Sequence, residues 1–399
     1  MLIRSVISVQ ESVNADYVTR LHVHMDEVPA PAWDALLACQ AMPTPFMRHA
    51  WLRALQASGS ASPETGWTLQ VLALWQGDTL AAACPLYLKT HSRGEYVFDH
   101  AWAQAYERHG LAYYPKGLVA VPFTPVPGSR LLAHDAMARQ ALIDALPQQA
   151  QALGLSSLHV LFPDPAEQAL LEDAGWLRRE QVQFHWTNQG WPDMDAFLAS
   201  MTQEKRKKIR QERRKVAEAG VRFRAVPGPD MGEAEWALLQ RCYTQTYLEH
   251  GQWPYLQDGV FAAMRAEMAR DWLLFVAERE GRDMAVSLIA LQHDAQGRPQ
   301  VAYGRYWGAL ERVDCLHFEA CYYQPLAWCL AHGVQRFEGG AQGEHKLARG
   351  LLPQITHSAH WLAHPGFAQA VDHYLGRERE AISEYREALA AHSPLRPAG

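Results

Sequence analysis

Two apolar hairpins, one domain length apart, constrain this chain more than any other feature. Residues 67–88, "WTLQVLALWQGDTLAAACPLYL", run apolar on both sides of a Gly-containing turn, the pattern of two paired strands. Residues 272–291, "WLLFVAEREGRDMAVSLIAL", read the same way. Ala73, Gly77 and Ala81 match Ala277, Gly281 and Ala285 at a constant offset of 204 residues. A helix and then a strand follow each hairpin: 136–153 leads into "SSLHVLF", and 315–332 leads into "VQRFEG". Hairpin, helix and strand are the order of an α/β domain with a mixed sheet. The chain is therefore read as a tandem repeat of one α/β unit, with a period too long for a solenoid.

The 399 residues accommodate two such cores. "TNQGWPDMD" is a turn-rich break near 188–200. After it, "AFLASMTQEKRKKIRQERRKVAEAG" has helix formers throughout and stops on Gly220. The boundaries are a first domain over 1–190, a basic helical connector over 191–220, a second domain over 221–391 and a loose tail over 392–399. Further helices are expected over 232–249, 257–270 and 366–391.

Composition narrows the function classes. Hydrophobic residues make up 48% and charged residues 20%, the range of a folded globular protein. The net charge is −6, so any anion site must be a local patch. No run approaches the ~18 apolar residues of a membrane span, and "MLIRSVISVQESVNADYVTR" has no continuous apolar stretch of a signal peptide. The six cysteines show no C-x-x-C pair and no zinc spacing. A cytoplasmic protein with reduced thiols and no metal is expected, its oligomeric state open.

"KRKKIRQERRK", 205–215, sets eight basic residues against one Glu. At 100° per residue the charges surround the helix and form no single stripe. Such a run is either a solvated connector or a phosphate site, with Lys205, Arg206, Lys208 and Arg210 as its cations. Stacking aromatics are absent from it, which speaks against base-specific RNA reading.

"RFEGGAQGEHKLARGLLP", 336–353, is rich in glycine and in functional groups. Arg336–Ala341 fits R-x-x-G-x-A, the pyrophosphate loop of GNAT acetyltransferases, in which backbone N–H groups hold the coenzyme A diphosphate. The match lies on the strand after the helix. The pattern's proper place, before the helix, holds Arg305-Tyr-Trp-Gly308-Ala-Leu310, which fits in part.

The chain resembles the bacterial FemAB-like family of GNAT-type acyltransferases, peptidoglycan biosynthesis or recognition proteins related to the Fem peptidyl transferases. The resemblance rests on "GEYVFDHAWAQAYERHG" (94–110), "YYPKGLVAVPFTPVPGSRLL" (113–132), the basic run, "HFEACYYQ" (317–324) and the 336–353 loop, and it covers most of residues 45–375. It implies an α/β fold of two tandem GNAT-like domains with mixed sheets and an inter-domain cleft. It implies acyl or aminoacyl transfer to an amino group, with acyl-CoA or aminoacyl-tRNA as co-substrate and no tightly bound cofactor. The acceptor is a small molecule or a muropeptide-like amine, and tRNA is a possible partner. Pro115-Lys116-Gly117 corresponds to a Pro-Arg/Lys-Gly stretch near the acceptor site. His345, Lys346 and the residues through Gly350 correspond loosely to a Phe-Lys-x-x-Phe-like stretch, with Leu347 and Leu351 standing where aromatics are usual.

Attack of an amine on an ester or thioester needs a neutral amine and a stabilised oxyanion. Glu319, early in the helix after the central strand, is the first candidate for the base; a helix-dipole role is its alternative. Glu338, at a strand end, and His345 are the other catalytic candidates. Asp99, Tyr106, Tyr114, Lys116, Arg305, Tyr323, Lys346 and Arg349 are candidate substrate-binding residues. A non-catalytic protein that recognises an anionic or cell-wall-precursor ligand is the competing function.

Overall fold

In the computed structural model, which describes residues 13–14, 17–341 and 343–396, both expected hairpins form. Trp67–Gln76 pairs with Thr79–Lys89, and Trp272–Arg279 pairs with Arg282–His293, each with a bulge close to the turn. The matched glycines nevertheless take different turn positions. Gly77 opens the first turn at φ 57°, whereas Gly281 closes the second at φ 74° behind Glu280 at φ 53°. The first is the Gly-x form of a two-residue turn and the second needs two left-handed residues. The strand pairing shifts accordingly: Ala73 faces Ala83, but Ala277 faces Ala285.

The chain divides into two units, Met1–Gln181 with Thr356–Glu380, and Val182–Ile355 with Ala381–Gly399. The sequence boundaries had put everything from 221 to 391 in one domain. The segment from Thr356 groups with the first unit because Ser358–Leu362 pair antiparallel with Ser157–Leu161. Leu362, Val371 and Leu375 also pack on Trp102, Tyr106 and Tyr113.

One strand order recurs in both units. In the first, Tyr17–His22, Trp67–Gln76, Thr79–Lys89 and Lys116–Val119 run antiparallel in turn; Ser157–Leu161 then joins parallel, and the Leu352–Leu362 strand follows antiparallel. In the second, Val221–Pro227, Trp272–Arg279, Arg282–His293 and Pro299–Ala309 are followed by the parallel Arg336–Glu338 and then by residues of Leu177–Thr187. The last strand of each unit thus comes from the chain segment that follows the other unit's parallel strand.

The expected single helix across the linker is broken. Met194–Ser200 and Gln203–Glu218 are separate helices, and Met201 between them bridges to Leu395. The tail is therefore tied down as far as that bridge, and residues 397–399 lie outside the described residues. Gln203–Glu218 is also more than a solvated rod: Ile209, Glu212 and Val216 form a buried stripe at helical spacing. The helix expected at 315–332 spans Leu316–Ala331, but it widens to a π-turn over Glu319–Tyr323. Pro325 explains the widening. It has no N–H for the Cys321 carbonyl four residues earlier, and its ring would clash with that carbonyl in a regular helix.

Candidate functional site

In the second unit the π-turn places Glu319, only 4% exposed, on the wall of a pocket of about 420 Å³. Arg213 Nε donates to both carboxylate oxygens at 3.2 and 3.3 Å, and Gln324 Nε2 donates to Oε1 at 2.7 Å. Burial raises the Glu319 pKa against the pull of Arg213. Arg210 and Arg214 reach the same pocket, and Val216, Val221 and Phe223 give it an apolar wall. His317, two residues before Glu319, faces elsewhere: it lines a separate hollow of about 600 Å³ with Trp307 and Leu316.

The outer face of the basic helix forms a second hollow of about 600 Å³, lined by Arg206, Lys207, Arg210 and Arg214. Arg210 and Arg214 are common to both cavities. Of the four expected phosphate cations, Arg206 and Arg210 lie there. Lys205 instead sits 3.4 Å from Glu204, and Lys208 is exposed outside the hollow.

The glycine-rich segment folds back as a short 3-10 helix, Glu344–Arg349, whose Lys346 and Arg349 are 2% and 4% exposed. Lys346 Nζ donates to the Gly340 carbonyl at 2.7 Å, and burial lowers its pKa to about 8. Arg349 is engaged on three sides. It pairs with Glu212 at 3.0 Å, donates to the His345 carbonyl at 2.6 Å and lies over the Phe318 ring at 3.4 Å. Tyr323 also donates to Glu212. Tyr322 Oη and His345 Nε2 are 3.0 Å apart, and burial with the nearby Arg349 and Lys346 lowers the His345 pKa. Glu338 is buried, with Arg336 Nε at 3.2 Å and His185 Nε2 at 3.9 Å. Arg305 lies over the Tyr306 ring at 5.3 Å.

Backbone packing demands the glycine of one candidate coenzyme A loop, and a side chain crowds the matched glycine of the other. A Cβ on Gly308 would fall 2.0 Å from the Cys242 carbonyl oxygen of the helix Glu233–Glu249. A Cβ on Gly339 would meet the Leu351 side chain at 2.6 Å.

In the first unit the candidates gather in the core. Lys116 lies directly opposite Lys89 on adjacent strands, and both are 0% exposed. Two buried like charges demand counter-charges, and the segment after the hairpin supplies them. Lys116 Nζ donates to Glu95 at 2.7 Å, to Ser92 at 2.8 Å and to Asp99. Burial would lower the Lys116 pKa, but Glu95 and Asp99 hold it above the usual lysine range. Burial pushes Lys89 down to about 7. Tyr114 joins through Ser92 at 2.8 Å. Tyr106 does not join: it stacks on Phe367 with centroids 4.0 Å apart.

Behind Asp99 runs a hydrogen-bonded chain. Tyr113 Oη donates to Asp99 at 2.6 Å and lies 3.1 Å from His159 Nε2, which Ser157 Oγ also meets at 2.9 Å. The two Nδ1 atoms of His159 and His360 are 2.7 Å apart, and His360 Nε2 is 2.9 Å from Ser358 Oγ. Burial, with Lys116 close by, holds His159 down at about 3.

Sequence reading missed Arg213, Gln324, Glu212, Glu95 and His159. The lone Glu212 within a basic run was the visible signal, since an acid held against eight cations is there for a partner.

The strand order and the parallel fourth and fifth strands define two GNAT-like units in one chain. Solved structures that share the fold include FemX and L-PGS from Bacillus licheniformis. FemX is 11% identical with a TM-score of 0.52, over 88% of this chain and 99% of its own. L-PGS from Bacillus licheniformis is 11% identical with a TM-score of 0.52, over 87% of this chain and 97% of its own. The chain belongs to the FemAB-like family, described as peptidoglycan biosynthesis/recognition, whose model matches residues 24–397. No curated protein matches the chain. No helix among the described residues is long and apolar enough to cross a membrane.

Proposed function

We propose that the protein transfers an acyl or aminoacyl group to the amino group of a small or cell-wall-related acceptor, with Glu319 as the proton acceptor. The observation that carries this is a buried carboxyl with a raised pKa, oriented by Arg213 and Gln324, on the wall of a small pocket. An elevated carboxyl is suited to take the proton of an ammonium group. The freed amine attacks the donor's carbonyl carbon, a new C–N bond forms, and the ester C–O or thioester C–S bond breaks. The leaving oxygen or sulfur departs with a proton. Membership of a peptidoglycan biosynthesis/recognition family supports a cell-wall-related acceptor. The basic hollow that shares Arg210 and Arg214 with the pocket suits an anionic donor, acyl-CoA or aminoacyl-tRNA.

Lys346, its ammonium partly deprotonated near neutral pH, is the second group able to act on a proton or an oxyanion. Arg349, Lys116 and Asp99 are committed to buried partners and serve the architecture.

The test is transfer with radiolabelled acyl-CoA and aminoacyl-tRNA donors, comparing wild type with Glu319→Gln. Loss of about 10²–10⁴ in kcat with donor binding retained is expected. Unchanged turnover in the variant would remove Glu319 from the chemistry. The alternative, a non-catalytic binding protein, is favoured by the closed Arg213–Glu319 ion pair. It predicts ligand binding without turnover in the wild type.

A further inference from the structure

The Glu319 pocket is lined by both signs of charge and by hydrocarbon. Glu319 Oε2 receives only the 3.3 Å contact from Arg213, so it retains capacity for another donor. Arg213 spends its Nε on Glu319. Its terminal nitrogens make no hydrogen bond among the described residues, and its side chain is 32% exposed on the pocket wall. Arg210 adds a second guanidinium, 60% exposed and 3.9 Å from Asp195. A carboxylate acceptor and a guanidinium fork on adjoining walls match an ammonium and a carboxylate carried on one small molecule. The remaining wall, Leu198, Val216, Val221 and Phe223, matches an aliphatic or aromatic side chain. A volume of about 420 Å³ lies in the range of small-molecule sites.

We propose that this pocket binds a zwitterionic α-amino acid with an apolar side chain, its ammonium on Glu319 and its carboxylate on Arg213, as the acceptor of the transfer. The inference rests on the reading of Glu319 given under Proposed function and adds the acceptor's class. A simple amine would leave the guanidinium fork empty, and a carboxylic acid without an amine would set two carboxylates side by side.

The experiment is calorimetric titration of the full-length protein with L-leucine, D-leucine and L-phenylalanine. The controls are L-leucinamide, which lacks the carboxylate, and 4-methylpentanoate, which lacks the amine. At least one amino acid should bind, and both controls should bind about tenfold more weakly or worse, the loss of one charge-assisted contact. Arg213→Ala should reduce amino-acid affinity and level the difference between leucine and leucinamide. Arg213→Lys, which keeps the charge beside Glu319, serves as the folded control and should retain part of it. Equal binding of leucine and leucinamide, or no binding of any amino acid at millimolar concentration, overturns the proposal. Acylation of simple amines as fast as of leucine would also overturn it while leaving the transferase reading intact. Tight amino-acid binding with no transfer from any donor would overturn the transferase reading and, with it, the acceptor role, leaving an amino-acid-binding site alone.

Discussion

Replacing Lys116 by Met tests whether the first-unit charge cluster is architecture. The cluster holds two lysines, Lys89 and Lys116, and two carboxyls, Glu95 and Asp99, each no more than 4% exposed. Removing Lys116 leaves Asp99 without its cation and Glu95 with only Lys89, 4.0 Å away. Breaking one side of a buried pair costs about 3–5 kcal/mol. At about 2–4 °C per kcal/mol for a unit of this size, Tm should fall by about 6–20 °C. Lys89→Met is the internal control. Burial already brings Lys89 down to about 7, so at pH 8 most of it is neutral, and the change should cost about 1 kcal/mol. The assay is urea unfolding of both variants at pH 8 and again at pH 5. At the lower pH the orphaned carboxyls of Lys116→Met take up protons, and its penalty should shrink. A loss below about 1 kcal/mol for Lys116→Met, or equal losses in the two variants, would refute the charge balance and return Lys116 to the list of ligand-binding groups.

His159 is held neutral at about 3 by burial and His360 lies well below 6.5, so the folded state binds fewer protons than the unfolded chain below pH 6.5. Stability is therefore full above 6.5 and falls by about 1.4 kcal/mol per pH unit per histidine as pH drops toward 3; a His159→Asn/His360→Asn variant should flatten that slope in pH-dependent denaturation. Pro325→Ala restores an N–H for the Cys321 carbonyl and should regularise the π-turn, lowering transfer activity with little change in Tm. Gly308→Ala places a Cβ 2.0 Å from the Cys242 oxygen and should cost about 3 kcal/mol or more, readable as a Tm loss that coenzyme A does not rescue.

The elements that local sequence specifies were legible, and the partners that only the fold supplies were not. Both hairpins, the helix before Ser157–Leu161 and the Pro365–Ala391 helix follow from apolar period and turn residues close in sequence. The constant 204-residue offset located the repeat, yet it concealed a two-residue difference in pairing, because turn type depends on which central residue adopts positive φ. The exchange of last strands between the units left no local mark at all: Leu177–Thr187 reads as an ordinary strand wherever it pairs. Site residues divide in the same way. Glu319 could be nominated because its place after the central strand is a sequence position. Its partner Arg213 lies 106 residues away on a helix whose charges seemed evenly spread, and only burial of Ile209, Glu212 and Val216 orients that helix. The surroundings of Lys116 were hidden for a related reason. A lysine beside a glycine and a proline suggests a ligand contact, whereas its strand position opposite Lys89 draws Glu95 and Asp99 inward and closes the site around it. The Glu319 pocket differs: Arg213, one of its lining residues, meets the carboxylate through Nε alone.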